Sequence, residues 1–423
     1  MNNNVAKGLS RRQMIKGAAA AGVLGCPLVA AASNRSPNSL LPKDDVDAAK
    51  LVAGKDKRLV VLVSDPAVLE TPLALLNDQH LTPAKLLFVR NNQQPKRMAT
   101  LEGIDQPGWD VDISAPQKKS LNSQVGKKIT LSQLRDMPQT SFEMVLQCSG
   151  SGRSLFSRDA QTKGTQWGRG GMGCVKFGGV MLHEVIKKLG IEVTAKHKFM
   201  LAEGKDEALP EKEDFLHTLP SDQVLKRSLL AISMNDQPLP GIHGGPIRLM
   251  TPGVYGTMHI KWLGKLEFVS EETTNYNHVP RYRVPNSPIQ PGDDYNFTLA
   301  NSSYNWDMKV KTVVLHPTEN SKVSAGKIKI QGVAFNDGSA PIETVLVSIN
   351  QGRTWIKSAL TKPDSKFAWT RFETQVTLPA GQAEIWTRAV DGLGRSQPLN
   401  GSVVWNPRGY EWNGVEKIKI EAL

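Results

Sequence analysis

Cysteine is scarce in this sequence, with three residues in a chain of 423. So few cysteines cannot form the disulfide framework that is typical of small secreted proteins. The sequence also has no CxxCH, no CxxC and no HExxH, so it lacks the attachment motif of covalent c-type haem and the commonest zinc signatures. Any metal centre in this chain therefore needs another kind of ligand set.

Lys/Arg-rich runs and nucleic-acid-binding motifs are also lacking, although the chain carries a formal charge of +12 at pH 7. A basic protein attracts nucleic acid, small anions or acidic partners. Because no nucleic-acid motif is present, the charge favours an anionic small molecule or an acidic partner protein. The hydrophobic content of 39% and the charged content of 22% are ordinary for globular domains.

The amino terminus has the pattern of an export signal. Residues 10–16 (SRRQMIK) match the twin-arginine motif, and a short alanine-rich apolar run follows. This run is too short and too weakly apolar to predict a membrane span. We expect residues 1–32 to be the twin-arginine signal peptide of a periplasmic protein, with a lipobox-like sequence at Cys26 as a lesser alternative. Twin-arginine export carries folded proteins, which indicates a bulky cofactor inserted before export.

The rest of the chain divides by composition into a linker and two domains. Residues 33–56 are polar and predict a linker. Residues 57–305 mix helix and strand patterns, including an amphipathic helix at 180–189 that ends before Gly190. Residues 306–423 carry alternating strands at sandwich spacing. The expected fold class is α+β, a mixed α/β domain followed by an immunoglobulin-like β-sandwich.

The stretch 141–154 (SFEMVLQCSGSGRS) is central to the functional prediction. Its apolar first half predicts a buried strand that ends on Cys148, followed by a Gly/Ser turn and Arg153. A thiol beside turn amides and a guanidinium group is where a thiolate is stabilised. A second predicted strand, 86–89, likewise ends on a cation, Arg90.

Three roles for Cys148 stay open on the residues alone. In a phosphatase-like loop, the spacing between the cysteine and the arginine is one residue longer than between Cys148 and Arg153. A lone cysteine is most often buried and inert. A single thiolate cannot hold Zn²⁺ or an iron–sulfur cluster, but it can bind a metal whose other ligands come from an organic cofactor. Donors for such a cofactor are available at Arg90, His243, Arg248, His259 and Lys261.

Several segments, in one order along the chain, resemble the sulfite oxidase family of molybdenum–molybdopterin enzymes. In the first domain these are residues 88–91 (FVRN), 146–150 (LQCSG) with Arg153, 167–173, 238–248 and 252–263. In the second domain, residues 352–355, 369–371 and 405–409 resemble that family's dimerisation domain. The resemblance covers about residues 58–420, and the ordered set of motifs is far more specific than any one of them.

The resemblance implies roles for individual residues. Cys148 would supply a thiolate ligand to molybdenum. The pterin and its phosphate would be bound by Phe88, Arg90, Asn91, Asn92, Asp206, His243, Arg248, His259 and Lys261. A cationic pocket for an oxyanion would be formed by Arg90, Arg153 and Arg371, with Lys163 near it. For Lys163, Asp206 and Arg371, solvated surface charges are an equally good interpretation.

Two positions depart from the family pattern. Asn92 stands where the best-known members have a histidine, and Ile232 falls where they have an active-site tyrosine. The tyrosine hydroxyl would touch the substrate, so its loss would weaken sulfite oxidation. Tyr255 is a candidate replacement.

The resemblance implies an exported, homodimeric molybdenum oxidoreductase of the bacterial sulfite dehydrogenase type. It would oxidise sulfite, or a related sulfur oxyanion, to sulfate by oxygen-atom transfer. Because no haem signature lies in this chain, we expect a separate c-type cytochrome as electron acceptor. One alternative is a methionine sulfoxide reductase on the same cofactor, against which the β-sandwich argues. The other is a cofactor-free binding protein with the same fold.

Overall fold

The structure, a computed structural model, describes residues 47–77, 79–93, 96–116, 126–206, 212–399 and 404–423. The predicted signal peptide and most of the predicted linker lie outside the described residues. The described end of that linker is packed rather than extended. Helix α1 (Ala48–Leu51) buries Ala48, and Val52 joins the same small core as Leu59 and Leu69. The linker prediction is therefore wrong for this segment, whose apolar side chains sit against the first sheet.

Three sheets make up the amino-terminal part. The first sheet is antiparallel and consists of β1 (Val60–Val63), β2 (Val68–Glu70) and β3 (Val89–Arg90). Another sheet consists of β4 (Asp110–Ser114), β5 (Lys127–Thr130), β8 (Phe199–Gly204), β9 (Leu216–Pro220) and β13 (Leu263–Val269). Its strand order is β5-β4-β13-β8-β9. Its pair β13–β4 is parallel, and its other pairs are antiparallel.

The second sheet carries the stretch around Cys148. Its order is β11-β10-β7-β6, and β12 also pairs with β10. The strands are β6 (Thr140–Gln147), β7 (Met172–Met181), β10 (Leu229–Met234), β11 (Gln237–Pro238) and β12 (Arg248–Met250). Strand β6 ends at Gln147, one residue before the predicted end at Cys148, and it pairs with β7 over its whole length.

Besides α1, the described residues form only a few short helices. They are α2 (Leu131–Arg135), α3 (Arg153–Phe156), α4 (Leu182–Leu189) and α5 (Ser221–Arg227), with 3-10 turns at Leu73–Leu76, Lys96–Met98, Gly241–His243 and Gly256–Met258 and an irregular helical turn at Asn277–Arg281. Gly190 caps α4 with φ 57°, which confirms the predicted glycine C-cap. None of the helices in the described part of the chain has both the length and the apolar character needed to cross a bilayer.

The carboxyl-terminal part is all-β, which confirms the predicted sandwich. A two-stranded pair, β14 (Arg283–Pro285) and β15 (Ser302–Tyr304), precedes it. One sheet has the order β16-β18-β22-β21, with strands β16 (Lys311–His316), β18 (Gly326–Phe335), β21 (Ala359–Thr361) and β22 (Thr370–Leu378). The other has the order β17-β24-β23-β19-β20, with strands β17 (Lys322–Val323), β19 (Ile342–Ser348), β20 (Ile356–Lys357), β23 (Gly381–Asp391) and β24 (Glu416–Ala422). Aliphatic side chains from both sheets form one core between them.

The predicted strand 86–89 is shorter in the structure because side chains, rather than a neighbouring strand, bind its first carbonyls. The Thr71 hydroxyl donates to the carbonyl of Leu86 at 2.7 Å, and Lys55 Nζ donates to that of Leu87 at 2.6 Å. Pairing with β2 begins only at Val89. Each backbone oxygen accepts from a side chain that the short-range sequence pattern did not indicate.

Candidate functional site

Cys148 lies where β6 meets a tight turn. Its amide donates to the carbonyl of Gly171 at 2.9 Å, and its own carbonyl accepts from Ser151 N at 3.0 Å. Its side chain is partly exposed and lines two cavities, which share Arg90, Asn92, Cys148 and Tyr282. A sealed, inert thiol is instead found at Cys174, which is 1% exposed and whose pKa burial raises to about 12.

The turn after Cys148 needs a glycine. Gly152 has a φ of 94°, and a Cβ atom there would lie 2.7 Å from the Trp412 ring. Both the backbone conformation and the close ring exclude an L side chain. The turn thus packs directly on the carboxyl-terminal part of the chain.

The first cavity, which we call the inner cavity, measures about 730 Å³ including its opening. All the residues that the resemblance assigned to cofactor binding line it, and they come from four parts of the sequence: Phe88, Arg90, Asn91, Asn92, Cys148, Asp206, His243, Arg248, His259 and Lys261. The structure therefore brings this predicted set together around one space. Residues to which the sequence analysis gave no individual role complete the lining, among them Phe215, Thr257, Trp262 and Tyr282.

Two histidines of the inner cavity are neutral at neutral pH. Burial lowers the pKa of His259 to about 3, and burial beside Lys55 and Lys261 lowers that of His243 well below its usual value. His259 Nε2 lies 2.9 Å from the carbonyl of Thr251, so this nitrogen holds the proton. Its Nδ1 is buried and has no hydrogen-bond partner among the described residues, which leaves an acceptor for a ligand.

Buried cations form another wall of the inner cavity. Arg248 Nη1 donates to the carbonyl of His243 at 2.9 Å, while its Nε is buried and finds no partner in the part of the chain that the structure describes. Burial lowers the pKa of Arg248 to about 9. Lys261 Nζ donates to Asn91 Oδ1 at 2.6 Å, and burial, with Arg248 nearby, lowers its pKa well below its usual value. Confining these cations away from water costs free energy unless an anion accompanies them.

Asp206 is the only carboxylate among the described residues that line the inner cavity. Burial raises its pKa to about 6, an effect that the positive charge of Lys261 only partly offsets. The protein itself therefore supplies little negative charge here, and the cavity suits a ligand that brings its own.

The second cavity, the outer cavity, is wider, at about 1370 Å³ including its opening. Its described lining contains the cations Arg90, Arg153, Lys163, Lys212, Arg281 and Arg408 and one acid, Glu213. Such a concentration of positive charge attracts small anions and raises their local concentration. Three of the four residues predicted for the oxyanion pocket, Arg90, Arg153 and Lys163, lie in this lining.

A carboxyl-terminal segment, residues 405–412, closes one side of the outer cavity. The amide of Glu411 donates to the carbonyl of Ser149 at 2.9 Å, and that of Lys163 donates to Pro407 O at 2.8 Å. Arg153 is fixed between the two parts. Its Nε donates to the carbonyl of Arg408 at 2.7 Å, and its guanidinium carbon lies 4.9 Å from the centre of the Tyr410 ring.

The side chain of Asn92 is engaged by another amide. Its Nδ2 donates to Asn277 Oδ1 at 2.9 Å, and the same oxygen accepts from Arg281 Nη1 at 3.1 Å. Asn92 therefore holds the segment that carries Arg281 and Tyr282.

Arg371 corrects the prediction for the oxyanion pocket. It lies on β22 and lines neither cavity. Its guanidinium donates to the carbonyls of Gln79, at 2.9 Å, and Asn77. The side chain joins the sandwich to the first domain. Arg408, which the sequence analysis did not select, supplies a cation to the outer cavity.

A tyrosine other than Tyr255 lies at the two cavities. Ile232 lies on β10 and packs against the main core, while Tyr282 lines both cavities. The Arg90 guanidinium donates to the Tyr282 hydroxyl at 3.3 Å. Tyr255, the proposed replacement, is 2% exposed in an apolar cluster, and its hydroxyl accepts from the Lys309 amide at 3.5 Å.

The comparisons with known proteins agree with one another on the family. Residues 99–277 match the family described as "Oxidoreductase molybdopterin binding domain", and residues 302–422 match "Mo-co oxidoreductase dimerisation domain". Mitochondrial sulfite oxidase of Macaca fascicularis is 29% identical over 367 residues, covering 83% of this chain and 63% of that protein. Sulfite oxidase of Arabidopsis thaliana is 25% identical over 375 residues, covering 83% and 91%.

The chain thus spans less than two thirds of the length of the mammalian relative. Among solved structures, sulfane dehydrogenase SoxCD from Paracoccus pantotrophus matches with a TM-score of 0.67 at 22% identity, covering 83% of each chain. This likeness confirms the predicted two-domain fold.

Proposed function

Because this chain belongs to the sulfite oxidase family of molybdopterin oxidoreductases, we propose that it is a molybdenum enzyme that oxidises sulfite, or a related sulfur oxyanion, to sulfate. The observation that carries the proposal is the position of Cys148. Its side chain lines both cavities. The inner cavity has buried donors and acceptors with no partner among the described residues, and the outer cavity is rich in cations. A metal bound to this sulfur would face both a cofactor and an anionic substrate.

The inner cavity fits the chemistry of the molybdenum–molybdopterin cofactor. A pterin with a phosphate combines an anionic group with ring nitrogens that both donate and accept hydrogen bonds. The cavity offers the matching groups, since Arg248 Nε is an unpaired donor and His259 Nδ1 an unpaired acceptor. The buried cations Arg248 and Lys261 suit the phosphate. Cys148 would contribute the protein thiolate to molybdenum.

The bound cofactor would supply the two-electron redox chemistry and transfer of an oxygen atom to sulfur. The protein would bind the substrate anion and orient it. Cations of the outer cavity would draw sulfite in and balance its charge. The Tyr282 hydroxyl, held beside Arg90, would orient an oxygen of the anion, and the Arg408 guanidinium is of the right kind to bind another.

The wider setting is part of the same proposal. Residues 1–32 would direct export to the periplasm, and a separate c-type cytochrome would accept the electrons one at a time. The carboxyl-terminal domain would form a homodimer, as the matching domain description suggests. Light scattering of the purified protein would test the last point, since it gives the mass of the assembly directly.

Metal and pterin analysis of the natively expressed protein, combined with a sulfite-dependent ferricyanide assay, tests the proposed function. We expect one molybdenum and one pterin per chain and reduction of ferricyanide that requires sulfite. Protein that contains the cofactor but reacts only with methionine sulfoxide and a reduced dye would contradict sulfite as the substrate. Protein without molybdenum would select a cofactor-free binding role instead.

A further inference from the structure

Lys55 is a buried cation with no carboxylate among its hydrogen-bond partners. It lies in the segment that composition predicted to be a linker, yet it is 3% exposed. Its Nζ donates to the carbonyls of Ala84 and Leu87, each at 2.6 Å, and lies 2.9 Å from Nε2 of His243. The side chain therefore connects the segment before β3 to a histidine of the inner cavity.

The protons of these groups can be counted. A lysine ammonium group has three N–H donors and no acceptor. With Ala84, Leu87 and His243 as its acceptors, all three donors are used, so Nε2 of His243 must be unprotonated. Because the ring is neutral, its one proton is then on Nδ1. Hydrogen bonds from charged donors are shorter than those from neutral ones, so the two 2.6 Å contacts favour the ammonium form over a neutral amine.

We infer that Lys55 is a positioning residue of the inner cavity, which holds the His243 ring with its proton on Nδ1 and so presents an N–H donor to the anionic part of the bound cofactor. The inference rests on the proposed cofactor site and assigns a role to a residue outside the predicted set. Lys55 does not line the cavity itself. It acts through the ring, as the outer hydrogen-bond partner of a ligand-binding histidine does.

A competing arrangement exists and can be measured. Burial lowers the pKa of Lys55, and a neutral amine would accept a hydrogen bond from Nε2–H of His243 instead. The ring proton would then be on Nε2. Nitrogen-15 NMR distinguishes the two forms, because protonated and unprotonated ring nitrogens have well-separated chemical shifts. The His243→Gln variant assigns the signal.

The first measurement uses the purified protein as isolated, labelled in its histidine rings, at pH 7. Protonated Nδ1 in His243 supports the inference, and protonated Nε2 overturns it, whatever the cofactor content. In Lys55→Met, which keeps the apolar stem, the proton should move to Nε2, since Ala84 O lies 3.4 Å from that atom. Lys55→Arg should restore the Nδ1 proton.

The second measurement is cofactor retention. After dialysis, Lys55→Met should keep about tenfold less molybdenum and pterin than the parent, as expected for loss of one hydrogen bond to a charged group. The exposed Lys57→Met should match the parent. A Lys55→Met protein with an unchanged ring tautomer and unchanged retention would overturn the inference. Absence of cofactor from the parent would contradict the proposed function but leave the tautomer result standing.

Discussion

The guanidinium group of Arg90 donates a hydrogen bond to the hydroxyl of Tyr282 across 3.3 Å. The two residues are separated by almost two hundred positions in the chain, yet both line the inner and the outer cavity beside Cys148. Tyr282 also stacks on Tyr410, with ring centres 5.5 Å apart. Arg90 thus fixes the hydroxyl of Tyr282, and Tyr410 fixes its ring, where the two cavities meet.

Replacing Tyr282 by phenylalanine should lower kcat/KM for sulfite by about tenfold, the effect of one lost hydrogen bond to a charged reactant. The ring stays in place, so folding should change little. Steady-state kinetics with ferricyanide measures the effect. Ile232→Val is the matched control, because Ile232 packs in the core and its change should affect stability alone. Equal activity of Tyr282→Phe and the parent would remove the hydroxyl from the mechanism.

Sequence reasoning identified the inner cavity better than the outer one. Inner-cavity residues such as Cys148, His243 and Lys261 lie in short motifs of the sequence. Their residue types alone indicate that they can bind a metal or an anionic cofactor. Tyr282 and Arg281 lie in a segment with no regular secondary structure, so no periodicity pointed to them. Only the fold brings them to Arg90.

The α+β class and the β-sandwich followed from strand alternation, and the cap at Gly190 from a local glycine signal. Lys55 could not be found in this way. Its partners lie 29, 32 and 188 positions away, and a lone lysine in a polar stretch is typical of an exposed linker. The predicted role of Arg371 in the oxyanion pocket was wrong for a different reason. Its local motif resembles that of the family, but its guanidinium donates to backbone carbonyls.

Two arginines should respond differently to alanine substitution. Arg408→Ala removes a cation from the outer cavity, and we expect the KM for sulfite to rise by about tenfold with little change in stability. Arg371→Ala leaves carbonyls of Asn77 and Gln79 without their donor, so it should lower the free energy of unfolding by about 1–3 kcal/mol.

Kinetics and thermal unfolding on both variants separate the two roles. Because Arg371 lines neither cavity, its variant should keep the parental KM. A raised KM for Arg371→Ala together with a parental KM for Arg408→Ala would reverse our assignment.

The stability of the folded protein should depend on pH through the carboxyl group of Asp206. Burial raises its pKa to about 6, against about 3.9 in an unfolded chain. Between these values the folded state binds more protons than the unfolded state, so this carboxyl stabilises the fold at low pH and loses that contribution as pH rises through 6. Relative to Asp206→Asn, the cofactor-free parent should lose about 2 kcal/mol from pH 4 to 7.

Denaturant unfolding of both proteins across this pH range measures the difference. Asp364→Asn, at an exposed position, controls for the loss of a charge. A parent that gains stability over Asp206→Asn as pH rises would show that the carboxylate is favoured by its surroundings, contrary to the burial argument.

The two described cysteines should differ in reactivity. Cys148 is partly exposed in the cavities, whereas burial raises the pKa of Cys174 to about 12 and leaves it 1% exposed. Iodoacetamide should alkylate Cys148 in cofactor-free folded protein and leave Cys174 unmodified. Peptide mapping by mass spectrometry identifies each site. Loading with cofactor beforehand should protect Cys148, and modification that is unaffected by loading would count against the thiolate ligand.

X-ray absorption at the molybdenum edge tests the central claim most directly, by counting the sulfur atoms bound to the metal in the parent and in Cys148→Ser. Cys174→Ala serves as the control for loss of a thiol elsewhere. We predict one sulfur ligand fewer in Cys148→Ser and an unchanged count in Cys174→Ala. The same sulfur count in Cys148→Ser and the parent, both carrying molybdenum, would show that the metal takes no ligand from this residue.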